Sequence, residues 1–143
     1  MTNSKLTPLE AEVLKWLLAG EDSILAALRE QFASASILSR NLTGHGFYLN
    51  FIVSTSVTRL HEKFHVKPDF CFGDVKASID SLEHGAGFLL WVKSGVLDFL
   101  EGYTYDESWP VEIESFELQY ITGNDRDLGE LRHQWKTESC ISL

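Results

Sequence analysis

Two groups of residues in this chain have the types and spacing that chemistry requires. The first is His61-Glu62-Lys63-Phe64-His65, a literal H-E-x-x-H. On a helix its histidines lie one turn apart on one face, where they bind zinc, and the glutamate serves as general base. The second is Glu83-His84 together with Glu101, Tyr103, Tyr105, Asp106, Glu107 and Trp109. A carboxylate beside a histidine can exchange protons with a substrate, and Tyr and Trp in a polar rim are the side chains that anchor partners.

The surroundings decide what each group can do. An H-E-x-x-H needs a sustained helix, but residues 53–58 are rich in β-branched side chains and Pro68 stands three residues after His65, leaving room for two turns at most. Arg59, Lys63 and Lys67 give the segment the charge of a solvated surface. A third ligand would have to be Glu83 or His84, which precede Gly85 without helical context. In extended backbone His61 and His65 share a face and Glu62 points away. The expectation is a polar loop or edge strand with no metal and no cofactor. A zinc site at His61, Glu62 and His65 is the alternative.

The second group sits around Gly85–Pro110, the most structured-looking stretch of the chain. Phe88-Leu-Leu-Trp-Val92 is apolar on both alternating sets, as in a strand covered on both faces. Lys93-Ser-Gly95 suits a three-residue hairpin loop, and residues 96–102 return beside the first strand. Such a hairpin places Glu83-His84 and Glu101 to Tyr105 at the same end of a sheet. The bland alternative is that Tyr103, Tyr105 and Trp109 close the core with their polar tips in water, and that the acids are solvated turn residues.

The elements that must position these residues follow from periodicity. Thr7-Pro8-Leu9-Glu10 has the form of a capping box with proline at the first helical position. Leu9, Val13, Leu14, Leu17 and Leu18 make an apolar face, and Gly20 supplies the stop. A second helix begins at Asp22 or Ser23 with Ile24, Leu25, Leu28 and Phe32 on its stripe, so the two form a helical hairpin. Ser36 to Leu42 reads as a strand, Thr43 to Gly46 as a turn, and Phe47, Leu49, Phe51 and Val53 as one face of a second strand. Residues 70–81 alternate as one strand, with Cys71, Val75, Ala77 and Ile79 on one side and Phe72, Asp74, Lys76 and Asp80 on the other, a pattern that suits one wet face. A last strand spans roughly Glu112 to Ile121, with a bulge between Ile113 and Phe116. Leu128, Leu131 and Trp135 mark a short C-terminal helix.

A chain of 143 residues with 44% hydrophobic side chains suits one α+β domain spanning residues 1–143. The expected architecture is an N-terminal helical hairpin on a curved, mainly antiparallel sheet of five to six strands, with the short C-terminal helix. The net charge of −9 opposes binding to nucleic acid or anionic membranes and favours a basic protein as partner. No apolar run is long enough for a membrane span and no secretory pattern opens the chain, so a cytoplasmic protein, monomer or homodimer, is expected. Cys71 and Cys140 are far apart in sequence, which indicates neither a disulfide framework nor a thiolate zinc site. Cys71 between two phenylalanines reads as a packing residue, and Cys140-Ile-Ser-Leu143 as a chance likeness to a prenylation box. Gly85 and Gly87 lack phosphate-loop spacing, and no Ser or Cys stands in a nucleophile-elbow context.

The run Gly85-Ala-Gly-Phe-Leu-Leu-Trp-Val92, then Gly95-Val-Leu97, then Leu100-Glu-Gly-Tyr-Thr-Tyr-Asp-Glu-Ser-Trp-Pro110 resembles the C-terminal signature of a family of small uncharacterised bacterial proteins. Some of these are similar to the immunity proteins of contact-dependent toxin systems. The resemblance implies a non-enzymatic, acidic protein-binding module that masks a basic toxin, or a regulatory protein. A small-ligand-binding protein or an enzyme is the competing class, served by the zinc motif or by Glu83, His84 and Glu101 around a closed pocket.

Overall fold

The computed structural model describes residues 6–137; Cys140 and the lipidation reading attached to the tail lie outside the described residues. Helix α1 (Pro8–Leu17) starts as its residue types dictate. The Thr7 hydroxyl accepts from the Glu10 amide at 3.1 Å and the Glu10 carboxylate accepts from the Thr7 amide at 3.0 Å, closing the capping box. Gly20, at φ 127°, turns the chain, and the Asp22 carboxylate caps α2 (Ser23–Ala33) by accepting from the Ile24 and Leu25 amides. Burial pushes the Asp22 carboxyl up, but the Arg132 guanidinium and these amides outweigh it and hold it below the ordinary value. Carbonyls at the α1–α2 corner are taken by arginines: Arg29 donates to Leu18 and Gly20, and Arg126 to Leu17 and Ala19.

Among the described residues seven strands follow: β1 (Ser36–Leu42), β2 (Gly46–Ile52), β3 (Phe70–Phe72), β4 (Val75–Ile79), β5 (Ala86–Lys93), β6 (Val96–Thr104) and β7 (Phe116–Tyr120). One turn of helix, α3 (Leu60–Lys63), lies before β3, and α4 (Leu128–Thr137) follows β7. Every pairing is antiparallel and the sheet is open, in the order β1-β2-β6-β5-β4-β7, with β3 and β4 both bonded to β5. This is an α+β fold with one strand more than the sequence implied, because residues 70–81 form two strands.

The break falls at Gly73-Asp74; the wet face holds at Lys76 and Asp80, which are exposed, and fails at Phe72 and Asp74. Phe72 is buried, and the Asp74 carboxylate pairs with Arg126 at 2.8 and 3.0 Å; their side chains are 17% and 7% exposed. Arg126 also lies over the Phe72 and Tyr120 rings, so one guanidinium ties the strand break to the helical corner. The β5–β6 loop has two residues, Ser94 and Gly95, both at positive φ, the pairing that a type I′ turn requires. Lys93 therefore belongs to β5. The last strand begins only at Phe116, so the phase shift between Ile113 and Phe116 marks a strand start and residues 105–115 form an irregular strap. Cys71 is buried as expected.

The sheet has two unlike faces. On one, Phe47, Leu49, Phe88, Leu90, Val92 and Leu100 join the core stripes of α1 and α2, while Trp135 of α4 packs on Phe70 and Phe72. Each fully buried side chain of this size contributes on the order of 1.5–3 kcal/mol. On the other, Leu89 and Trp91 of β5 are only half-buried. The strand expected to be covered on both faces is covered on one.

Candidate functional site

Glu83 and His84 do lie at the same end of the sheet as the end of β6, as the hairpin required, but Glu107 rather than Glu101 is the group that meets them. The Glu107 carboxylate accepts from the Glu83 amide at 2.9 Å and the His84 amide at 3.0 Å. Those two hydrogen bonds hold its carboxyl below the ordinary value of 4.5. The Glu107 carbonyl in turn meets His45 Nδ1 at 2.9 Å and accepts from the Thr104 hydroxyl. Three loops are thereby clipped together: the β1–β2 turn, the β4–β5 turn and the first part of the strap. The side chains of Glu83 and His84 remain exposed. Asp106 is exposed at φ 61°, where it turns the strap away from β6.

Glu101 and Tyr103 stand on the outer face of β6, where register brings aromatic rings from three strands into one row. Tyr48 of β2 lies opposite Glu101, and Phe99 of β6 lies opposite Trp91 of β5. The Tyr48 and Phe99 rings meet edge to face at 5.6 Å, and Phe99 stacks on Trp91 at 5.3 Å with 18° between planes. Trp91 Nε1 donates to the Glu101 carboxylate at 3.2 Å, and the Lys93 ammonium lies 5.9 Å from the Phe99 ring centre. Tyr103 covers Gly87 so closely that a β-carbon there would sit 2.5 Å from its ring, and Tyr105 meets Tyr103 edge to face. Burial, then the neighbouring Tyr105 and the charge of Glu101, push the Tyr103 phenol up to about 12, so it remains a neutral hydrogen-bond donor.

Trp109 belongs to neither cluster. Its amide donates to the Gly44 carbonyl at 2.8 Å, and its ring packs edge to face on Phe47, a core residue of the opposite face. The eight residues grouped by sequence thus divide into a loop clip, an outer-face pair with Tyr105 beside it, and an inner-face tryptophan. Tyr48, Trp91 and Phe99 were missed. Their positions share the parity of Glu101 and Tyr103 along paired strands, but only the register makes them neighbours.

The zinc motif is divided by backbone geometry. Helix α3 ends at Lys63, and Phe64 is extended at φ −121°, ψ 156°, so His65 does not continue the helical face of His61. His61 Nδ1 is buried against Gly95 without a hydrogen-bond partner, and His65 is exposed. Among the described residues no group of three or more His, Cys, Asp or Glu is placed to hold a metal ion. The cavity of about 480 Å³ beside Trp109 is lined by neither His84 nor Glu101. What the outer face offers chemically is a carboxylate set among aromatic rings, a combination suited to a guanidinium or ammonium group.

Compared with protein-family models, curated proteins and solved structures, the chain matches none. No helix among the described residues is long and apolar enough to cross a membrane.

Proposed function

We propose that this chain is a non-enzymatic protein-binding module that takes a basic partner on the outer face of its sheet, in a toxin-neutralising, immunity-like role or a regulatory one. The observation that carries the reading is Glu101 held by Trp91 within the half-buried row of Tyr48, Phe99 and Trp91. Rings already stacked on one another lose little freedom when a partner covers them, which favours their use as anchors. An arginine or lysine of the partner would lie against these rings and pair with Glu101. The net charge of −9 supports steering of a basic protein, and the resemblance of residues 85–110 to immunity-like proteins supports the toxin-masking role. Glu83 and Asp106 extend the acidic surface at the end of the same sheet.

The test begins with affinity capture and ends with a purified pair. A protein captured by the wild-type chain is purified and titrated calorimetrically against wild type, Glu101→Lys and Trp91→Ala. The expected result is a basic partner whose affinity falls with salt and drops at least about tenfold in each variant. An acidic partner, or affinities unchanged in both variants, would overturn the reading.

A further inference from the structure

We infer that the cavity behind Trp109 is a binding site for a small, uncharged, largely apolar molecule with an aromatic or branched body. It lies on the sheet face opposite the proposed protein surface and stands independently of it. The cavity measures about 480 Å³, within the size range of small-molecule sites. Its walls come from the first turn of α1, the β1–β2 hairpin, the strap from Trp109 to Ile113, and Phe116 at the start of β7.

Charge defines the class of guest. Among the described residues the ionic groups in the lining are Glu10 and Arg40, and they are matched to each other: Arg40 donates from Nε to one Glu10 oxygen at 2.8 Å and from Nη2 to the other at 2.6 Å. Glu10, 3% exposed, also accepts from the Thr7 amide. A charged guest would give up its hydration and find no unmatched counter-charge in the wall. The remaining lining is mainly apolar, and Phe47 and Trp109, set edge to face at 5.1 Å, present a ring face and a ring edge to whatever enters.

The mouth and the strap point the same way. Leu42 and Val111, 73% and 101% exposed, bring apolar side chains to the lining from the hairpin and the strap. Exposed apolar groups gathered at an apolar cavity mark a place where something is to be covered. The strap is pinned at Trp109, through Gly44, and at Ser115, whose carbonyl accepts from the Asp80 amide, with no helix or strand between. It can therefore shift around a guest without disturbing the sheet.

Phenylnaphthylamine, a neutral aromatic fluorophore, is the probe. Titrated into the full chain it should show saturable fluorescence enhancement at a single site, with energy transfer from tryptophan. Trp109→Phe should keep binding and lower the transfer, with the other three tryptophans still contributing. Ile113→Glu, which sets a charge in the cavity wall, should weaken binding more than about tenfold in a protein whose circular dichroism shows it folded. Val111→Glu, at the mouth, should weaken it less. Non-saturable enhancement, or binding and transfer unchanged in Trp109→Phe and Ile113→Glu, would overturn the inference.

Discussion

Phe88 and Trp91 stand three residues apart on one strand, are both large aromatics, and do opposite work. Phe88 is 0% exposed under the helices, while Trp91 is half-buried on the outer face, stacked on Phe99 and bonded to Glu101. The comparison teaches that an apolar run on a central strand reports strand type and not function. What separates a core residue from a docking residue is what the other elements cover, and α1, α2 and α4 contribute to the core on one side. Charge follows the same division. On the covered side Arg126 is spent on Asp74 and two carbonyls, whereas Glu101 on the outer side accepts from the neutral Trp91 indole.

The largest test of this comparison is to truncate both rings. Phe88→Ala should lower unfolding free energy by about 3–5 kcal/mol, because the cavity cannot close under the helices. Trp91→Ala should lower it by about 0.5–1.5 kcal/mol, the scale of a lost aromatic pair. Urea unfolding measures both, and equal losses would mean that the outer face is packed as the inner one is. On the charged side, Arg126→Ala strands Asp74 and should cost about 3–5 kcal/mol, against less than about 1 kcal/mol for Glu101→Gln.

Two glycines sharpen the same contrast with a single added methyl. At Gly102 a β-carbon would lie 2.3 Å from the ring of Phe47, which is 3% exposed and has no room to move. Gly102→Ala should therefore cost about 1–3 kcal/mol. At Gly87 the obstacle is the half-buried Tyr103 ring, which can tilt outward, so Gly87→Ala should cost less than about 1 kcal/mol in the same urea unfolding. A reversed order would show Tyr103 to be the more rigid ring.

The smallest expected effect is local and depends on pH. The Glu107 carboxyl is held down by the Glu83 and His84 amides, so the clip is stabilising above the ordinary value of 4.5 and is lost as pH falls through the lowered folded value. Amide resonances of Glu83 and His84 should shift with a midpoint below 4.5 and stay still in Glu107→Gln. A midpoint at or above 4.5 would contradict the clip.

Most of the fold was legible because its signals are local. The capping box at Thr7 and Glu10, the Asp22 cap, the period-two runs of β1 and β2, and the Leu128, Leu131, Trp135 spacing each depend on neighbours within a turn or a hairpin. The candidate site was legible only in part. Glu101 and Tyr103 were found, but their company was not, since Tyr48, Trp91 and Phe99 are joined to them by cross-strand register. Trp109 was grouped with them by sequence proximity, and one turn of strap carries it to the other face.

By itself, the sequence determined an acidic α+β chain with the helical hairpin and the β5–β6 hairpin, because charge, capping and periodicity act over a few residues. The tertiary structure alone decided that residues 70–81 are two strands, that Asp74 is paired with Arg126, and that Trp91 faces outward while Trp109 closes a cavity. These depend on which surfaces the helices cover, and coverage is a property of packing between segments distant in the chain.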